Sequence, residues 1–369
     1  MMRLSSIIEA FEAEYLACYG GSMSPDQRQA LAAMKTCRTS ASPLMQAQCT
    51  ECDHAIRVPH SCGHRSCPHC QHHESQQWLE RQRQKQVPAT YFLLTFTLPE
   101  ALRPLARAHP RTLYDLMSRC SWETVKTFTH NDPQLQGQAG ALSVVHTHSR
   151  RLDYHPHVHL VVPAAAVDTQ RQRWRTKGRK NATYLFNHKA LATVFRAKLL
   201  DALTGQGLAL PPRYPGSWVV DCKCVGSGEK ALVYLGRYLY RGVIQEKDII
   251  ECRDGQVTFR YRHGKTRRFH YRTLPGAKFL ALILQHVLPK GFRRARNFGF
   301  LHPNSKRLIA LLQILLRLKL SPVAWQKPRP RLRCPCCGGE MAIVRTRIPP
   351  SEPLPGFVPN HDLAEATPM

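Results

Sequence analysis

The sequence predicts an α+β fold, an antiparallel sheet covered by helices, with a helical, cysteine-rich metal-binding module ahead of it. Three observations carry that prediction. Segments such as "ATYFLLTFTLP" (89–99), "ALSVVHTHS" (141–149) and "HPHVHLVVP" (155–163) are rich in aromatic and β-branched residues, and the last two are joined by a turn too short for a crossover. Segments of helical period with recognisable caps lie between and after them. Six cysteines fall within residues 37–70.

Taken in order, residues 1–20 form an amphipathic helix stopped by Gly20 and Gly21. Ser24 then offers an N-cap, Pro25 a first helical position and Gln27 the return arm of a capping box. The polar stretch 73–86 is a helix that leads into Pro88. Residues 89–99 form a strand closed by a proline, and 110–130 a helix. Residues 141–149 and 155–163 pair as a hairpin through a basic turn. A helix at 187–207 has Asn187 as cap and Gly205 as stop. Residues 217–224 form a strand, and 227–242 a helix capped by Ser227. Residues 256–273 form a hairpin turning at His263-Gly264-Lys265, with helices at 275–288 and 303–319. A basic tail follows, and its proline-rich end, 346–369, is expected to be disordered. The chain contains no internal repeat. The units expected are therefore a zinc-binding module (1–86), a sheet domain (87–245), a basic hairpin with helices (246–330) and the tail (331–369).

Charge narrows the class. The 369 residues carry 53 Lys and Arg against 25 Asp and Glu, a net charge of +28. Such a surface attracts polyanions, most often nucleic acid, although charge alone names no function. Glu9, Glu12 and Glu14 interrupt the apolar pattern of the N-terminus and argue against a secretory signal. The longest apolar run, "LIALLQILL" at 308–316, is too short to span a bilayer. The expectation is a soluble, cytoplasmic, nucleoid-associated protein without a membrane partner, whose clustered cysteines bind metal rather than form disulfides.

Four patterns carry chemistry. Cys49-Thr-Glu-Cys52 and Cys67-Pro-His-Cys70 are two knuckles 14 residues apart, predicted to hold one structural Zn²⁺ through four thiolates. Cys37 and Cys62 are left for a second zinc, and the sequence assigns no role to Cys334, Cys336 or Cys337. In "HPHVHLVVP", alternation puts His155, His157 and His159 on one strand face and Val158, Leu160 and Val162 on the other. A lone histidine is most often a surface or satisfied core residue; a same-face row is better read as a metal site on His157 and His159, or as a histidine-triad nucleotide hydrolase. In "YLGRYLYRG", Tyr234 and Tyr238 share one helix face, with Arg237 and Arg241 as a basic stripe beside it. Two tyrosines at that spacing usually just pack on a core. In the 256–273 hairpin, Phe259, Tyr261, Phe269 and Tyr271 are expected on one face. Arg260, Arg262, Arg268, His270 and Arg272 are expected opposite them, as a phosphate-contacting surface.

Together these stretches resemble a known family. "SCGHRSCPHC", "LLTFTLPE", "HPHVHLVVP", "YLGRYLYRG" and "LPKGFRRARNFGFL" occur in the order and spacing of the two-tyrosine, rolling-circle transposases of the HUH endonuclease superfamily, the insertion sequence ninety-one type. The resemblance covers about residues 30–320. It implies the HUH nuclease fold and a catalytic divalent cation, Mg²⁺ or Mn²⁺, on His157 and His159. It also implies Tyr234 and Tyr238 as nucleophiles that cut and rejoin single-stranded DNA at insertion-sequence ends and target through a 5′-phosphotyrosine. Tyr240 lies on another helix face and ranks below them. The third metal ligand stays open among His146, His148, His155 and a polar residue on or after the tyrosine helix. Three other readings remain: a histidine-triad hydrolase, a zinc-finger regulator that binds without cleaving, and a plasmid or phage replication initiator sharing the chemistry.

Overall fold

The structure is a computed structural model. It describes residues 2–70, 72–177, 184–240, 242–264, 266, 268–317 and 331–350, and excludes the side chains of residues 72, 73, 237, 238, 240 and 315. The chain begins with α1 (Leu4–Tyr19), α2 (Pro25–Thr36), β1 (Leu44–Cys49), β2 (Ala55–Pro59) and α3 (His72–Arg83). It continues through β3 (Tyr91–Thr97), α4 (Arg103–Ala108), α5 (Pro110–Asn131), β4 (Gly140–His148), β5 (Tyr154–Pro163), β6 (Ala165–Asp168) and β7 (Arg173–Thr176). Then come α6 (His188–Thr204), β8 (Val220–Cys224), α7 (Glu229–Tyr240), β9 (Ile249–Arg253), β10 (Gln256–Arg262) and β11 (Phe269–Pro275). The described chain closes with α8 (Gly276–Leu284), β12 (Ala295–Gly299), α9 (Lys306–Leu315) and β13 (Met341–Ile348).

Local signals act as the sequence requires at two helix starts. Ser24 and Gln27 form both arms of a capping box, and the Asn187 side chain accepts from the Lys189 and Ala190 amides. The α7 start differs. Its first turn is closed by the Gly228 carbonyl, which accepts from Leu232 N at 3.0 Å, so Gly228 and not Ser227 is the cap. Gly228 has φ +81, and a Cβ there would lie 2.8 Å from Tyr91 Cγ, so both the conformation and the space require glycine.

The central sheet has the order β12-β4-β5-β3-β8, with every neighbouring pair antiparallel. One face is apolar: Phe92, Leu94 and Phe96 of β3 and Val158, Leu160 and Val162 of β5 pack under α5 and α6. Phe195 of α6 meets Phe96 edge-on at 4.9 Å between ring centroids. The other face, which carries the histidines, is covered too. Leu142, Val144 and Val161 still need apolar cover, and they find it in Leu232 and Leu235 of α7, Trp78 of α3 and Leu312 of α9.

The segments expected as separate units share cores. Ile7, Ile8 and Phe11 of α1 pack with Phe279 and Leu280 of α8 and Phe259 of β10. The buried Glu246 carboxylate accepts from Leu4 N at 2.7 Å and pairs with His69 at 2.8 Å. β12, from the 246–330 segment, completes the central sheet. β13, from the tail, pairs with β1 in a three-stranded sheet, β13-β1-β2. Disorder was expected from residue 346, yet the strand runs to Ile348; residues 351–369 lie outside the described set. No helix among the described residues is long and apolar enough to cross a membrane.

Candidate functional site

Three imidazoles converge at one end of the sheet. His146 of β4 joins His157 and His159 of β5, and their candidate ligand nitrogens all lie within 4.8 Å of one another. Ring centroids are 5.1 Å apart for His146 and His157, 4.3 Å for His146 and His159, and 4.8 Å for His157 and His159. The third imidazole of the cluster is His146, one of the candidates the sequence left open. It reaches this face because the β4–β5 ladder is irregular: His148 pairs with Tyr154, but His146 pairs with His157 rather than with Pro156. The extra residue falls in the stretch that holds Pro156, which has no N–H to give a ladder. His148 is left beyond the irregularity, 5.1 Å from the His286 ring, and His155 turns its Nδ1 to Arg103 at 3.0 Å.

Burial keeps the imidazoles neutral. Burial pushes His157 down to about 4 and holds His146 and His159 well below the usual imidazole range, and the mutual repulsion of the cluster acts in the same direction. His157 Nδ1 donates to the His155 carbonyl at 2.7 Å, and His159 Nδ1 meets Thr95 Oγ1 at 2.9 Å. Both contacts use Nδ1 and leave Nε2 available as a ligand atom, the arrangement that orients metal-binding histidines. No carboxylate joins the group among the described residues, so a bound divalent cation would keep its full charge.

Tyr234 of α7 stands against this cluster, its ring 6.1 Å from those of both His146 and His159. It is 46% exposed, so it faces both the imidazoles and solvent. Burial raises its phenol pKa, and the charge of Arg150 opposes that rise. Trp78 and Ser75 of α3 hold the helix: the Ser75 hydroxyl donates to the Gly236 carbonyl at 3.0 Å, and a Cβ at Gly236 would lie 3.2 Å from Trp78. Arg237 and Tyr238 belong to the same helix, but their side chains are outside the described set, as is Arg241 entirely.

The cysteines form two clusters, and they divide differently from the sequence expectation. Cys67 and Cys70 group with Cys37 and Cys62, whereas Cys49 and Cys52 group with Cys334 and Cys337. One site made of Cys49, Cys52, Cys67 and Cys70 is therefore corrected to two. Spacing along the chain fixes each knuckle, but the folding of distant segments decides which knuckles meet. In the first cluster, Cys37–Cys70, Cys62–Cys70 and Cys37–Cys67 sulfurs are 3.7, 3.6 and 3.6 Å apart. Tetrahedral zinc with Zn–S near 2.3 Å requires about 3.8 Å between sulfurs, so the cluster fits the ion. Hydrogen bonding from Cys37, Cys62 and Cys67 holds the Cys70 thiol below its usual range.

Known proteins match this chain at both ends of that description. The family described as a putative transposase matches residues 140–308, and the one described as a transposase zinc-binding domain matches residues 7–98. The putative transposase y4qJ of Sinorhizobium fredii is 32% identical over 318 residues, 79% of this chain and 77% of that protein. The transposase for insertion sequence element IS801 of Pseudomonas savastanoi pv. phaseolicola is 30% identical over 292 residues, 73% of this chain and 68% of that protein. The chain belongs to the insertion sequence ninety-one family of transposases. Among solved structures, the relaxase TrwC complexed with a 27-mer DNA shares 21% identity at a TM-score of 0.26. The likeness covers 35% of the transposase and 49% of TrwC, so it spans about half of that protein.

The hairpin of the transposase corrects the face assignment made from sequence. Phe259 pairs with Arg272, Tyr261 with His270, Arg260 with Tyr271 and Arg262 with Phe269. Directly paired residues share a face, so aromatics and cations are mixed on both. Six residues, 263–268, join the strands; a loop of even length reverses the parity that a three-residue turn would have set. The inner face buries Phe259 against Phe279, and Arg272 pairs with Asp153 at 2.8 Å. The outer face carries Arg260 and Arg262 over the Phe269 ring at 4.8 and 5.4 Å, with Tyr271 63% exposed and Arg268 exposed near the loop. Sequence reasoning did not single out Thr95, Arg150 or Arg294, the last fixed by the Val145 carbonyl at 3.1 Å. Each acts through a neighbour from another segment, and no local pattern marks it.

Proposed function

We propose that this transposase cuts and rejoins single-stranded DNA by rolling-circle chemistry, with Tyr234 as the nucleophile. The observation that supports the reading is the position of the Tyr234 ring, 6.1 Å from two imidazoles of a three-histidine cluster. The phenolic oxygen forms a bond to a backbone phosphorus as the bond to the 3′ oxygen breaks. The phenol loses its proton and the departing 3′ oxygen gains one. The downstream strand stays on the enzyme as a 5′-phosphotyrosine. Rejoining reverses the exchange, so no nucleotide triphosphate is consumed. Tyr238, on the same helix, is the natural second nucleophile for a second cut.

A divalent cation held by His146, His157 and His159 would supply positive charge to the oxygens of the scissile phosphate. The chain's own part is to keep those imidazoles neutral and aimed through Thr95 and the His155 carbonyl, and to oppose the rise in the Tyr234 pKa with Arg150. Three nitrogen ligands suit Mn²⁺ better than the harder Mg²⁺. On the same reading, DNA lies across the outer hairpin face, with Arg260, Arg262 and Arg268 on phosphates and Phe269 and Tyr271 beneath bases. Arg237 and Arg241 of the tyrosine helix are proposed to contact DNA as well.

The test is incubation with 3′-labelled single-stranded DNA and Mn²⁺, followed by denaturing electrophoresis. A labelled band migrating with the protein supports the reading, and Tyr234→Phe must abolish it while DNA binding persists. The histidine-triad alternative predicts nucleotide hydrolysis that depends on His155 and no covalent DNA. The contact of His155 with Arg103, outside the cluster, counts against it. A zinc-finger regulator would bind without any adduct, and a replication initiator would form the adduct on origin rather than insertion-sequence DNA.

A further inference from the structure

The second cysteine cluster joins two ends of the chain. Cys49 ends β1 and Cys52 lies in the turn that follows it, and Cys334 and Cys337 come from the turn before β13, with Cys52 and Cys334 282 positions apart in sequence. We propose that these four cysteines bind a second Zn²⁺, and that this ion clasps residues 331–350 onto the N-terminal module. Cys334 and Cys337 lie outside the residues matched by either family, 7–98 and 140–308.

Geometry carries the proposal. Sulfur separations are 3.4 Å for Cys49–Cys337, 3.7 Å for Cys52–Cys334 and 3.6 Å for Cys52–Cys337. These are close to the roughly 3.8 Å edge of a tetrahedral four-thiolate zinc site. The knuckle backbone is also in place. Cys49 Sγ accepts from the Glu51 amide at 3.4 Å, as Cys62 Sγ accepts from the His64 amide at 3.4 Å in the first cluster. On the other arm, Gly338 N donates to the Cys334 carbonyl at 2.9 Å, and Gly338 has φ +74, a turn that suits glycine.

The packing shows why an ion is needed. The apolar cluster at the three-stranded sheet β13-β1-β2 is small: Ala47, Cys49, Cys334 and Met341, with Cys52, Ile56 and Leu332 partly buried beside them, while Ile348 is buried at the far end of β13. So small an apolar cluster does not hold a sheet of this kind by itself, and small modules without a core are commonly closed by metal. β13 is bonded along β1, with Cys49 opposite Met341 and Gln48 opposite Ala342. Losing the ion should therefore release residues 331–350, with Arg331 and Arg333 ahead of the strand and Arg345 and Arg347 on it.

The experiment uses the full chain, reduced, stripped and reloaded with Co²⁺. Sulfur-to-cobalt charge transfer then reports thiolate sites only, because a histidine site contributes nothing to it. Wild type should take up two thiolate-bound cobalt ions per chain. Cys334→Ser with Cys337→Ser should halve the signal, as should Cys49→Ser with Cys52→Ser. All four together should still lose only half, because the two pairs serve one ion. Trypsin should cut within 331–350 in the tail variant and not in metal-loaded wild type. A full signal in the tail variant would overturn the proposal, as would a wild-type stoichiometry of one. A quadruple variant that loses everything would also overturn it, because Cys49 and Cys52 would then belong with Cys67 and Cys70. The tail variant alone decides the matter if the Cys49 and Cys52 variant does not fold.

Discussion

Replacing Thr95 by valine is expected to weaken metal use without touching either the nucleophile or an imidazole. The Thr95 hydroxyl lies 2.9 Å from His159 Nδ1, and His159 is only 7% exposed. Valine keeps the branched shape and removes the oxygen. The buried ring nitrogen then loses its partner, a change that costs about 1–3 kcal/mol. Loss of such an orienting contact typically lowers metal affinity or activity by about 10–100-fold, which converts to about 1.4–2.7 kcal/mol, the same range. Adduct yield on 3′-labelled single-stranded DNA should be followed against Mn²⁺ concentration. The half-maximal concentration should rise about 10–100-fold, with a plateau close to that of wild type. Thr95→Ser should restore the original curve. An unchanged Mn²⁺ dependence in the valine variant would refute the argument that Thr95 aims His159 at a cation.

Four further outcomes follow from the same geometry. His146→Ala should lower cleavage by at least about 100-fold at every Mn²⁺ concentration, because charge stabilisation of this kind contributes several kcal/mol, while single-strand affinity stays within about twofold; fluorescence anisotropy on the same preparation separates the two. Phe269→Ala combined with Tyr271→Ala should weaken single-strand binding by at least about tenfold with no change in its salt slope, since stacking contributes about 1–3 kcal/mol per base. Arg262→Ala should instead reduce that salt slope by about 0.7, the signature of one lost phosphate contact on a single strand. Gly276→Ala should lower the thermal midpoint in calorimetry, because its Cβ would stand 2.2 Å from Phe11 Cγ and overpacking of this kind costs about 1–3 kcal/mol.

What could be read from the sequence was whatever depends on neighbours a few residues apart. The shared face of His157 and His159 follows from strand alternation, and the capping box at Ser24 and Gln27 from helix geometry. The cysteine knuckles likewise follow from their own spacing. What could not be read depends on how two segments register against each other. Cys49 and Cys52 find Cys334 and Cys337 only because β13 adds to β1, and the strand signal of 341–348 is weak: six of its eight residues are exposed. The basic hairpin shows the same limit, since one residue of loop length decides which cations share a face with which aromatics.

The third histidine is the sharpest instance. If the β4–β5 ladder kept the register set by His148 and Tyr154, His146 would stand opposite Pro156. It would then share a face with Val158 and the apolar core, while Val145 and Thr147 faced the imidazoles. One irregular residue beside Pro156 shifts the pairing, so that His146 meets His157 and Val144 meets His159. That single shift turns a two-histidine row into a three-nitrogen cluster and sends His148 away towards His286. The irregularity loosens the ladder at the end of the sheet where chemistry is proposed, and bulges beside active sites commonly re-aim a side chain in this way. Its physical cause is in the sequence, because a proline cannot donate to the ladder. Its consequence, the choice of His146 over His148, exists only once both strands are paired.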